Sequence, residues 1–205
     1  SKTRVIQLAP ERGRIFDADG RILADNERIL TLAVDWKYLQ RSSDRTALFT
    51  KIAEWVETDV SEMEARYLSG FYSPFLPLPL VEDIDEPTAI AILERVEQMP
   101  GVEILNEWKR VYPYAPHAAH VVGYMGAITA EQLDGYLVRG YLRNERVGQF
   151  GVERSLEDLL HGQWGYQVLE VDATNRPVNI VEEVPPINGY DVQLTIDLDA
   201  QVYVE

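Results

Sequence analysis

With 205 residues, 46% of them hydrophobic, the chain is long enough to bury a sizeable core in one large or two small domains. Its 34 acidic residues outweigh 19 basic ones, and the resulting formal net charge of -15 would repel a nucleic-acid backbone. Cysteine is absent, which removes disulfides, thiolate metal sites and a thiol nucleophile, and no apolar run approaches the roughly 18 residues of a membrane span.

The first predicted element is a hairpin. Arg14 to Asp17 and Arg21 to Ala24 flank Asp19-Gly20, a dipeptide that tolerates the positive φ of a tight turn. Asp17-x-Asp19-Gly20 has the look of a calcium loop, but aligning Gly20 with the loop glycine puts Ile15 at the first ligand position and Asn26 at the closing glutamate position. Turn chemistry is the better reading of these acids. Ile29 to Val34, a continuous apolar run, predicts a buried strand. Helices follow: one capped by Asp44 with Leu48, Ile52, Trp55 and Val56 on one face, and one opened by a capping box from Ser61 to Glu64. Pro74, Pro77 and Pro79 predict an extended stretch. Asp85-Glu86-Pro87 starts a helix that Met99-Pro100-Gly101 stops. Val102 to Leu105 and Trp108 to Tyr112 read as strands, Thr129 to Gln132 as a helix start and Gly140 as that helix's end.

From Gly165 the pattern alternates: Tyr166 to Asp172, a turn at Thr174-Asn175, Val178 to Val181, a turn at Asn188-Gly189, then Tyr190 to Asp197. Asp199 to Glu205 reads as a helix cut short, so the chain is expected to be a fragment trimmed at both ends. An isolated hairpin is marginal in water, so the N-terminal hairpin and the C-terminal strands are expected to share one sheet. The predicted class is α+β, with residues 1–36 and 145–205 forming one discontinuous subdomain and residues 37–144 an inserted, helix-rich head.

Candidate chemistry is sparse. His117 and His120 lie three apart and suit a shared helix face, but no third ligand is identifiable and structural zinc takes four. A helix N-terminus whose histidines meet local partners is preferred, and His161 beside Gly162 is weaker still. Glu82-Asp83 with Asp85-Glu86, and Glu182-Glu183, supply acids for a polysaccharide hydrolase; adjacent acids in a strand point to opposite sides, whereas a working pair faces across a sugar at about 5 to 9.5 Å. None of the serines is followed three residues later by lysine, and neither Gly-x-Ser-x-Gly nor Lys-Thr-Gly occurs. Gly148-x-x-Gly151 lacks the lysine of a phosphate loop. No catalytic residue, cofactor site or metal site is assigned.

Three segments taken together resemble a family: Arg12-Gly13-x-Ile15-x-Asp17-x-x-Gly20-x-x-Leu23-Ala24; Arg110, Tyr112-Pro113 and Ala118 through Gly123-Tyr124; and Gly148, Gly151, Glu153, Leu160, Gly162 and Gly165. In this order they are similar to the non-catalytic N-terminal module, the dimerisation or pedestal domain, of class B penicillin-binding proteins. Ala118 to Ile128 is more like the elongation type than the division type. Leu194 to Asp197 with Gln201 resembles the lead-in to the transpeptidase domain. Ala18 stands where the family usually has arginine, so one local ion pair is missing from the pattern.

The resemblance implies structural roles for Arg12, Gly13, Asp17, Gly20, Arg110, Tyr112, Pro113, Gly123, Tyr124, Gly148, Gly151, Glu153 and Gly162. It also implies an elongated pedestal on the extracytoplasmic face of the bacterial membrane, anchored by an N-terminal helix this sequence lacks. That pedestal would position a serine D,D-transpeptidase domain and dock a membrane-embedded glycan polymerase and a cell-shape scaffold protein. A free-standing exported binding module is the alternative. Glu153 lies in the first turn of a predicted helix whose Leu156, Leu159 and Leu160 face the core, and its expected partner is Arg12 or Arg110.

Overall fold

The computed structural model describes residues 2–41, 43–69, 72, 76–173 and 176–204. Pro74 and the Thr174-Asn175 turn lie outside the described residues. Along the chain run β1 (Lys2–Leu8), β2 (Ile15–Phe16), β3 (Ile22–Val34), α1 (Trp36–Arg41), α2 (Arg45–Ala53), α3 (Val60–Leu68), β4 (Leu78–Ile84), α4 (Glu86–Leu93) and β5 (Val102–Val111). There follow α5 (Ala119–Val122), β6 (Met125–Ala127), α6 (Ala130–Val138), β7 (Arg146–Gly148), α7 (Gly151–Ser155), α8 (Glu157–Leu160), β8 (Gly165–Val171), β9 (Pro177–Val184), β10 (Val192–Gln193) and α9 (Leu198–Val204). The class is α+β.

Two compact units share these elements: Ser1–Glu27, Trp108–Gly126 and Val147–Glu205 form the first, and Arg28–Glu107 with Ala127–Arg146 the second. The boundaries differ from the expected 1–36, 37–144 and 145–205 for a packing reason. Leu32 and Val34 belong to the second unit's core, whereas Ala118 and Val122 belong to the first unit's.

In the first unit the chain ends share two sheets where one was expected. β1 lies antiparallel to β8 with an unbroken register from Lys2 opposite Val171 to Leu8 opposite Gly165, and β9 follows on the far side of β8. β10 runs parallel beside β2, which pairs antiparallel with β3 through Ile15 opposite Ala24. The expected hairpin thus forms, but of the C-terminal strands it takes the short β10, since β8 is already flanked by β1 and β9. Ile15, Leu23, Ala24, Ala118, Val122, Leu160 and Leu198 close the core.

The second unit packs α2 and α3 against β3 and β4, with Phe49, Leu32, Ile52, Met63, Leu78 and Ile92 at its centre. Three local expectations shift. Asp59, not Ser61, occupies the position before α3, and Trp55 falls beyond the end of α2, where the Arg95 guanidinium lies 4.4 Å from its ring centre. The Asp85 carboxylate accepts the Thr88 amide at 2.9 Å, as its place before Pro87 predicts, but α4 ends at Leu93 and a separate tight turn spans Val96–Gln98. β5 is one strand, not two.

Candidate functional site

One polar cluster of the first unit is built on Glu153, which is wholly buried in the first turn of α7. Its Oε2 accepts the Arg12 Nε at 2.8 Å, and its Oε1 accepts the Arg110 Nε at 2.7 Å and the Tyr112 hydroxyl at 3.1 Å. Both arginines named from the sequence therefore meet it. Arg12 reaches further: its Nη2 donates to the Glu153 carbonyl at 3.0 Å and to Glu157 Oε2 at 2.6 Å, and the same Glu157 oxygen accepts the Gly148 amide at 3.0 Å. Asn26 completes the set, its Oδ1 accepting from Arg110 Nη1 at 3.0 Å and its Nδ2 donating to the Arg12 carbonyl at 2.7 Å.

Two guanidiniums thus face two carboxylates, with side-chain exposures of 9% or less throughout. Burial works against the charge on Arg12, but Glu157 and Glu153 outweigh it and hold its pKa above the ordinary value. Burial, then the charge of Glu153, pushes the Tyr112 phenol upward, so it stays a hydrogen-bond donor. With both Glu153 oxygens engaged, the carboxylate is a cross-link between the Glu11–Gly13 segment, β5 and α7, and has no lone-pair direction facing solvent for substrate chemistry.

A second cluster sits at the hairpin turn. Asp17, also fully buried, accepts the Asp19 and Arg21 amides on Oδ1 at 3.0 and 2.7 Å, and Arg21 Nε and the Leu198 amide on Oδ2 at 2.8 and 3.4 Å. Burial alone would raise its pKa; the amide and guanidinium of Arg21 more than reverse this and leave it below the usual 3.8. Arg21 also reaches Asp199 at 2.8 Å and Asp197 at 3.3 Å, so the turn grips the residues that open α9. Arginine is missing at Ala18, yet Asp17 finds its ion pair with Arg21.

The other residues named for structural roles sit in turns, loops and at the ends of elements. Gly123 and Gly151 sit at φ of 84° and 61°, and a Cβ on either would strike the other loop's backbone: the Phe150 carbonyl in one case, the Val121 carbonyl in the other. Next to them Tyr124 and Phe150 stack with ring centres 6.2 Å apart. Gly13 donates its amide to the Leu160 carbonyl at 2.8 Å, Gly20 holds the positive φ of the turn, Gly162 follows α8, and Pro113 opens the turn after Tyr112. His117 and His120 are exposed; the latter's Nε2 lies 3.3 Å from the Gln201 amide, and His161 Nδ1 is 2.8 Å from the Gly162 carbonyl. Glu182 and Glu183 accept from Tyr166 and Gln167. Among the described residues no three histidine, aspartate or glutamate side chains gather as a metal set. Sequence reading missed Asn26, Glu157 and Arg21. For Glu157 a signal existed, since it stands four residues after Glu153, a spacing that shares a face in the single helix expected there, although the chain breaks that helix at Leu156.

Residues 7–194 match the family model described as the Penicillin-binding Protein dimerisation domain. The chain is 29% identical, over 210 residues and its whole length, to the peptidoglycan D,D-transpeptidase MrdA of Escherichia coli K12, and 31% identical over 206 residues to MrdA of Salmonella typhimurium LT2, covering 98% of this chain. It spans about a third of the length of these relatives, 33% in each case. Its fold is shared by penicillin-binding protein 2 of Helicobacter pylori in a complex with MreC (TM-score 0.77, 24% identity, 99% of this chain and 38% of that one). It is also shared by penicillin-binding protein 2B of Streptococcus pneumoniae strain 5204 (TM-score 0.67, 18% identity, 99% and 42%).

Proposed function

The chain belongs to the penicillin-binding protein dimerisation-domain family, and from that premise we propose that it is the non-catalytic, extracytoplasmic pedestal of an elongation-type peptidoglycan D,D-transpeptidase. The observation that carries this reading is full-length similarity to D,D-transpeptidases confined to a third of their length, together with two buried polar clusters that cross-link the chain. Its task is positioning. The Glu153 cluster makes one rigid piece of three segments distant in sequence, and the Asp17–Arg21 turn ties that piece to α9, the segment that resembles the lead-in to the transpeptidase domain.

In the intact protein a serine activated by lysine would attack the D-Ala-D-Ala stem and an amine of a neighbouring strand would resolve the acyl-enzyme. The pedestal would hold that site at a set height above the membrane, from an N-terminal helical anchor. Because the Helicobacter relative is solved with MreC, a cell-shape scaffold of that kind is one docking partner we assign, and a membrane-embedded glycan polymerase is the other. The test is Arg21→Ala in the intact protein. Peptide cross-linking should fall while acylation by a labelled penicillin persists; unchanged cross-linking, or loss of both in a folded protein, would count against positioning.

A further inference from the structure

We propose that the outer edge of β9 receives an extended segment of a partner protein, one that alternates β-branched apolar residues with lysine or arginine. β9 ends its three-stranded sheet: β8 pairs with one side of it, and among the described residues no strand pairs with the other. A free edge offers a row of backbone donors and acceptors, and proteins ordinarily guard such edges with charged side chains, proline or bulges, so the sign of the guarding charge selects what can still pair there. β1, at the opposite edge of the same sheet, carries Lys2 and Arg4. β9 reads Pro-Val-Asn-Ile-Val-Glu-Glu-Val, so its charges, Glu182 and Glu183, are both negative and its guard excludes anionic strands and admits cationic ones. All eight of its residues are exposed, with Val178 at 67%, Val181 at 59% and Ile180 at 52%. Its register against β8 shifts twice, and each shift inserts a valine, Val181 between Glu182 and Ile180 and Val178 between Asn179 and Pro177. The bulges twist the strand and leave Val178 and Val181 without a partner on β8, so apolar surface lies beside the acids of this edge.

Charge selects the occupant. From Pro177 to Glu205 the chain contains six acids and no lysine or arginine. Glu182 and Glu183 are hydrogen-bonded to neutral partners, which leaves their charge uncompensated. An anionic membrane surface is repelled by this edge, and a second acidic copy of the chain is disfavoured at a net charge of -15. A cationic, β-branched strand satisfies the backbone edge, the valines and the glutamates together, the strand-addition mode of peptide recognition. The surface deepens the docking role proposed above and rests on it for its cell-wall setting.

The probe is a ten-residue peptide alternating valine and lysine, titrated into the whole chain with amide hydrogen exchange read residue by residue. We expect slowed exchange in β9, binding at least about tenfold weaker for the valine–glutamate peptide, and a similar loss in Val178→Lys/Ile180→Lys, whose exposed positions spare the fold. Equal binding of the glutamate peptide, protection confined to other elements, or concentration-dependent self-association that protects β9 and β1 without peptide would each overturn the proposal. Since the titration needs no transpeptidase domain, its failure leaves the cross-linking test of the pedestal standing, and failure of that test leaves the edge intact.

Discussion

Removing the Glu153 carboxylate would leave two buried guanidiniums beside each other with half their neutralising charge gone. Breaking a buried pair in this way costs about 3 to 5 kcal/mol, so Glu153→Ala should lower the unfolding free energy by that amount in a denaturant melt. His117→Ala, at an exposed position, should stay within about 0.5 kcal/mol. A Glu153→Ala loss as small as that expected of the histidine variant would mean that the cluster is dispensable. Protonation acts at two other carboxyls with opposite signs. The pKa of Asp17 is depressed in the folded state, so its contribution is complete above the unfolded value of 3.8 and disappears as pH falls through the folded value. Glu107, on β5, is pushed above its usual 4.5 by burial, with the charge of Glu82 adding to the effect, so the folded chain holds that proton longer and stability declines as pH rises from 4.5 toward the folded value. Asp17→Asn should therefore flatten the acid limb of a stability–pH profile, and Glu107→Gln should flatten the decline above pH 4.5.

Among the elements, the loops that meet at Gly123 and Gly151 fit backbone against backbone, with the Tyr124–Phe150 stack beside the contact. Gly20 has a comparable positive φ but open space around it, which separates conformational strain from collision. Gly20→Ala should cost the strain alone, about 1 to 2 kcal/mol. Gly151→Ala adds a clash with the backbone of residues 121 and 123, so its loss should exceed that of Gly20→Ala severalfold and should loosen α7, on which Glu153 rides. Equal thermal shifts for the two variants would show that the loops part easily.

For the molecule as a whole, each unit has its own core, and Phe49 is wholly buried in that of the second. Phe49→Ala should cost about 3 to 5 kcal/mol and speed amide exchange first within Arg28–Glu107. With no serine followed three residues later by lysine, the chain should form no covalent adduct with a labelled penicillin. A stoichiometric mass increase would contradict its assignment as a non-catalytic pedestal.

By itself the sequence determined the α+β class, the Asp19-Gly20 hairpin, the apolar strand at Ile29 to Val34, the Asp85–Pro87 helix start and the alternation from Tyr166 onward. Each is written in neighbouring residues, through turn chemistry, capping or a period of two. The three family-like segments, and through them the Arg12, Arg110 and Glu153 set, were legible as well. Tertiary structure alone decided that Lys2–Leu8 is a strand, because its partner begins more than 150 residues later and a lone edge segment carries no local mark of its mate. It alone carried β3 through Asp25-Asn26-Glu27-Arg28, four polar residues that look like a loop until Asn26 is seen bonded to Arg110 and to the Arg12 backbone. It likewise ended α4 at Leu93, ahead of the proline stop, and chose Arg21 and Glu157 as ion partners. Those outcomes depend on which charges the fold brings together after burial has made an unpaired one costly, a long-range balance that spacing along the chain does not record.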